Sequence, residues 1–171
     1  MRTRRLVIDA SVACAAGESD HPVSKASRDF LLRVRQVCHT LVMTNETRLE
    51  CGQHRSRFSS TWYASMLARR KVVEPSGCED RALRARISRS GLPENQRSAM
   101  EQDVHLVEAA LVTDRIVVST DNSARRLFSV LAERHGLLRT VVWVNPAENP
   151  DRLVQWLEKG AKPVPKWRLG G

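Results

Sequence analysis

A chain of 171 residues, 42% of them apolar, can bury one sizeable core and is too short for a second full domain. Its 28 lysines and arginines, 23 of them arginine, outnumber 19 acids and give a net charge of +9. Such a surface attracts polyanions but names no chemistry, since an arginine-biased genome gives the same charge on solvated faces; no run of about 18 apolar residues occurs, so no membrane span is expected.

Cys14, Cys38, Cys51 and Cys78 form no CxxC pair and have no histidine ladder nearby, which points to unbridged thiols in a reducing cytoplasm and away from a zinc site or disulfide frame. The start, MRTRRLVIDASVACAAG, has the basic, apolar and small-residue run of a signal peptide. Asp9 in its apolar stretch argues against that reading.

RLVID, Arg5 to Asp9, is a short β-branched run that reads as a buried strand ending on an acid. Ser11 to Ala16 looks helical. From Pro22 to Cys38, Phe30, Leu31, Val34 and Val37 recur at helical spacing between arginines and predict an amphipathic helix. LVMT, Leu41 to Thr44, is the next strand, with Asn45 as cap of a helix through Glu46, Leu49 and Glu50. Residues 55–71 and 79–90 predict helices, the second with Leu83 and Ile87 one turn apart and Arg81, Arg84, Arg86 and Arg89 mostly around the outside.

SGLPENQ, Ser90 to Gln96, is a loop, followed by a helix from Arg97 to Val112. Strands at Arg115 to Ser119 and Thr140 to Val144 flank a helix from Ser123 to His135. A last helix spans Pro150 to Lys159, and residues 160–171 have the composition of a tail. Short apolar strands alternating with helices predict an α/β fold around a mostly parallel central sheet. Ligands of such folds sit beyond the carboxyl ends of the strands.

Asp9 ends one strand and Asp121 follows another, so both emerge at that edge. Glu50 lies about a turn and a half into the helix after LVMT. Asp103 shares a helical stripe with Leu106, Val107 and Ala110, which puts a carboxylate on a core-facing surface where it needs a cation, a hydrogen bond or a proton. His105, about 200° further round, is turned away from Asp103 and reads as a surface or local packing histidine. Glu101, Glu108 and Asp114 read as solvated acids. Four clustered carboxylates either protonate in part or bind a divalent cation, and oxygen-only ligands suit magnesium or manganese. The plainer alternative is that Asp9 and Asp121 cap the helices that follow them.

With these residues in hand, the chain resembles a PIN domain, the metal-dependent nuclease family that includes the VapC-type toxins of bacterial toxin–antitoxin systems. LVIDASV supplies Asp9 and Ser11 at the family's first acid and hydroxyl. TNETRLE supplies Glu50, preferred to Glu46 for its distance from LVMT. Asp103 before the helical HLVEAAL, and Asp121 after the strand with Ser119 before it, match the last two acids, and Asn122 is an adjacent polar candidate. The resemblance covers residues 5–145 and so leaves a domain over 1–148 with a C-terminal helix and tail, 149–171, packed on it or extending from it.

The resemblance implies an α/β/α sandwich, magnesium or manganese at the acids, and endonucleolytic hydrolysis of RNA by metal-activated water. It also implies an antitoxin partner and a homodimer. Ser11 and Ser119 would orient carboxylates or water, and Arg125 and Arg126 would meet phosphate, unless they form only a solvated first turn. Against small toxin members the chain is longer, carries Trp156 and Trp167 near its end, and has Glu108 in a segment that is usually small and apolar. A PIN-like module that binds RNA or protein without cutting is the competing function. A haloacid-dehalogenase-type phosphatase would need an acid where Ser11 stands, and no P-loop or GxGxxG pattern occurs.

Overall fold

The computed structural model describes residues 3–54 and 56–171. Arg55, the expected first residue of the helix over 55–71, lies outside them, as do Met1 and Arg2 of the signal-like start. Five parallel strands are arranged in the order β3-β2-β1-β4-β5: β1 (Arg5–Ile8), β2 (Thr40–Val42), β3 (Val72–Val73), β4 (Ile116–Val118) and β5 (Val142–Val144).

Side-chain alternation along the strands builds two cores. Leu6, Ile8, Leu41, Met43, Ile116 and Val118 face α1 (Ala10–Ala15), α2 (Pro22–Gln36), α4 (Arg57–Ala68) and α8 (Pro150–Glu158). Val7, Val42, Val117 and Trp143 face α5 (Arg81–Ser88), α6 (Glu94–Leu111) and α7 (Asn122–Ala132). α3 (Asn45–His54) follows β2. The two-sided covering has a topological cause. From β1 the chain winds outward through β2 to β3, then returns to place β4 on the other side of β1. Right-handed crossovers in opposite winding directions put their helices on opposite faces, and the result is a three-layer α/β/α sandwich.

The structure adds β3, which has two residues, and starts α6 at Glu94, directly after Pro93, so part of the expected loop is helix. Thr140 closes a short 3-10 turn, Leu138–Thr140, ahead of β5. Thr44, not Asn45, caps α3, its hydroxyl accepting from the Thr47 N–H at 3.1 Å. The last residues dock on the domain. Leu169 donates its N–H to the Val141 carbonyl, Arg168 bridges antiparallel to Val142, and Trp167 packs edge-on against Trp156 at 5.6 Å. This covers the free edge of β5. No described helix is long and apolar enough to cross a membrane, and no disulfide joins the four cysteines.

Candidate functional site

β1 and β4 are neighbours, and between them the winding direction reverses. In open parallel sheets such a reversal at the carboxyl edge is where ligands bind. Asp9 follows β1 directly, is 9% exposed, and donates its backbone N–H to the Val118 carbonyl at 2.9 Å. Its carboxylate does not cap α1, although Asp9 occupies the cap position. Instead Oδ2 accepts from the Ser11 hydroxyl at 2.5 Å and from the Ser119 hydroxyl at 2.7 Å.

Those two serines also lock the loop after β4. The Thr120 N–H donates to Ser11 Oγ at 3.1 Å, and the Asp121 N–H to Ser119 Oγ at 3.0 Å. Asp121 does cap α7, through Oδ1, which accepts from the Ser123 and Ala124 N–H groups at 2.7 and 2.9 Å. Both capping bonds fall on one oxygen, so Oδ2 takes no part in them. The helix cap and an outward-facing ligand oxygen are compatible in one side chain.

Asp103 lies in the middle of α6 and is half-buried. Among the described residues it receives no hydrogen bond and no ion pair. Burial, then the charges of Asp9, Asp121 and Glu50, push its carboxyl up to about 7. Those causes place Asp9, Asp121 and Glu50 within electrostatic reach of Asp103. Glu50, exposed on α3, is pushed up by burial, Asp9 and Glu46. Asp103 feels Glu50 and not Glu46, which favours Glu50 as the member of this group from α3.

Among the described residues, no group of three or more His, Cys, Asp or Glu side chains is close enough together to hold a metal ion. An ion that keeps most of its water shell, as magnesium does, needs only one or two carboxylates in direct contact. Among the described residues no cation pairs with Asp103, and the charges that act on it are the carboxylates of Asp9, Asp121 and Glu50, from three separate elements.

Other candidates are placed less centrally. Asn122 Oδ1 accepts from Asn145 Nδ2 at 3.2 Å, Arg125 pairs with Glu148 at 3.6 Å, and Arg126 donates to Ser123 Oγ at 3.1 Å. Two expectations are corrected, for Glu108 and Asp114, and for His105 packing is what holds of the two alternatives. Glu108 is 2% exposed and held by both arms of the Arg84 guanidinium at 2.8 Å, and by the Asp80 N–H at 2.9 Å. It is therefore no solvated acid but the tie between α5 and α6. Asp114 is bound by Arg4 and Arg5 at the opposite edge of the sheet. His105 is not on the surface. It is 4% exposed, with Nδ1 2.8 Å from the Thr44 hydroxyl, and burial lowers its pKa.

Asn145 and Thr44 escaped the sequence reading. Asn145, 6% exposed after β5, donates to the Thr120 carbonyl as well as to Asn122, and so steadies the loop that carries Asp121. The signal was present, since Asn145 ends a buried apolar run just as Asp9 does. Thr44 joins the start of α3 to His105 on α6, so the helices bearing Glu50 and Asp103 share one buried bond. No family model matches the chain, and no curated protein does either.

Proposed function

We propose that this chain is a metal-dependent endoribonuclease of the PIN type, hydrolysing RNA phosphodiester bonds with magnesium or manganese held by Asp9, Glu50, Asp103 and Asp121. One observation carries the reading: Asp103 is half-buried, lacks any donor or cation among the described residues, and feels the charges of three further carboxylates. A carboxylate so placed takes up a proton or a cation. A bound divalent ion supplies an activated water and positive charge for the phosphate oxygens.

The chain's own part is to hold acids that would otherwise repel one another. Ser11 and Ser119 fix one oxygen of Asp9, and the first turn of α7 fixes one oxygen of Asp121, so in each the second oxygen keeps a defined direction. Asn145 and Thr44 hold the supporting loop and helix. The net charge of +9 draws RNA to a locally acidic site, and of the two arginine candidates for phosphate Arg126 is exposed and has no acidic partner among the described residues, whereas Arg125 pairs with Glu148. The role that accompanies this reading is a cytoplasmic toxin with a protein antitoxin, for which a small overlapping upstream gene is the cheapest sign.

The test incubates purified protein with structured RNAs and manganese, with Asp9→Asn alongside. Cleavage by the wild type alone, abolished by EDTA, supports the reading. Equal cleavage by both proteins, or none by either across varied RNAs, refutes it.

A further inference from the structure

α5 and the end of α7 both pack on α6, and between them runs a groove of about 700 Å³. Its apolar part is aliphatic: Ala82 and Ala85 from α5, Leu92 from the following loop, and Val130 and Leu131 from α7, with Ser90, Gly91 and His135 beside them. Val130 stands 50% exposed there, a large apolar side chain left in water. Around it rise Arg86 and Arg89 on one wall and Arg134 on the other, with Glu133 the one acid in the lining. Among the described residues none of these three guanidinium groups has an acidic or hydrogen-bonding partner. Arg84, on the same α5, shows the contrast, because it is committed to Glu108.

We infer that this groove is the docking site for an acidic amphipathic helix of a protein partner. An apolar trough between two helices receives a third through apolar anchors at i, i+3, i+4 and i+7, and α5, eight residues long, offers about 12 Å of wall. Unpaired arginines on both walls select acids flanking those anchors and set orientation. Single-stranded RNA fits less well, because no Phe, Tyr or Trp lines the groove and His135 is the one ring in its lining on which a base could stack. A second copy of this chain fits less well too, since a net charge of +9 brings arginine against arginine. The groove uses the last turn of α7, whereas Asp121 caps the first, so docking and the acidic cluster are separable by mutation.

The test selects a displayed library of helical peptides against the full chain in EDTA, so that its outcome does not depend on metal or on cleavage. Selected peptides are then measured against the Arg86→Glu/Arg134→Glu double variant and against Val130→Asp, with unchanged melting temperatures as the folding control. The expected result is enrichment of helices with aliphatic anchors flanked by Asp and Glu, whose affinity falls at least about tenfold in both variants. Four results overturn the inference: no enrichment, peptides that bind the variants as well as the wild type, an oligoribonucleotide whose affinity the double variant lowers by the same factor, or a concentration-dependent dimer that Val130→Asp abolishes.

Discussion

At the amino edge of the sheet, Asp114 accepts the Arg5 backbone N–H at 2.8 Å and its guanidinium at 3.3 Å, and lies 3.5 Å from Arg4. At the carboxyl edge, Asp103 meets only other acids. Burial raises the carboxyl in both. At Asp114 the Arg5 backbone N–H, the Arg5 guanidinium and the Arg4 charge outweigh it and hold the group below its ordinary range; at Asp103 three carboxylates add to it. His39 follows the pattern of the amino edge. It is fully buried, with Nδ1 accepting the Arg4 N–H and Nε2 facing the Leu157 carbonyl, so both ring nitrogens are used. A fold selected for stability alone would treat both edges as it treats the amino edge. Charges left uncompensated at the winding reversal are what the proposed metal site would require.

The largest test of that contrast removes the uncompensated charge. Asp103→Asn should leave the fold intact and lower manganese-dependent RNA cleavage by about 100-fold or more, because it withdraws a direct or water-mediated ligand. Retained cleavage would make Asp103 a bystander and the two edges equivalent in function. The next test breaks a compensated charge on the same helix. Arg84→Met leaves Glu108 buried without its guanidinium and should cost about 3 kcal/mol in urea unfolding near neutral pH. Arg84→Met with Glu108→Leu should recover most of that loss, as an apolar pair replaces a buried ionic one.

Asp9 and Asp121 were legible from the sequence because each follows a buried β-branched run, and a parallel sheet brings such ends to one edge. Asp103 was legible from its helical stripe. Glu108 and Asp114 were not, because their burial depends on partners far along the chain, Arg84 and Arg5, that no local period announces. β3 was hidden for another reason. It is two residues long and follows Arg70, which adopts φ 55° to end α4 where a glycine would have marked the turn. Cys38 and Arg115 make the same left-handed turn ahead of β2 and β4, so three helix-to-strand junctions carry no glycine signal. Composition left open whether the tail packs on the domain or extends from it. Leu169 and the Trp156–Trp167 contact show that a few apolar residues suffice to dock it.

The sign of pH dependence sharpens the comparison further. Asp103 has a folded pKa of about 7 against an ordinary 3.8, so between those values the native state binds a proton that the unfolded chain has released. Its contribution to stability is therefore present at low pH and declines as pH rises from about 4 to about 7. After discounting for solvent screening, the metal-free wild type should lose on the order of 2 kcal/mol more than Asp103→Asn across that window. Melting both proteins in EDTA at about pH 5 and about pH 8 measures this, since other titrating groups cancel in the difference. A manganese-induced rise in melting temperature near pH 8 in the wild type, much reduced in Asp103→Asn, would tie the same carboxylate to the ion.

Asp114 should show the opposite sign and the smallest effect. Its folded pKa is depressed, so its stabilising contribution is present above the ordinary value of 3.8 and is lost as pH falls through the folded value. Asp114→Asn keeps one oxygen able to accept the Arg5 N–H but removes the charge that Arg4 and Arg5 share. With Arg5 half-exposed the pairing is partly screened, so the cost near pH 7 should be about 1 kcal/mol, shrinking as the wild-type carboxylate protonates in acid. RNA cleavage should be unchanged, because the substitution lies at the edge of the sheet away from the acids. A variant that matched the wild type in stability at every pH would show that the arginines do not compensate this charge. A variant that lost cleavage while remaining stable would show that the two edges are coupled through β4, whose start follows Asp114 and whose end leads to Asp121.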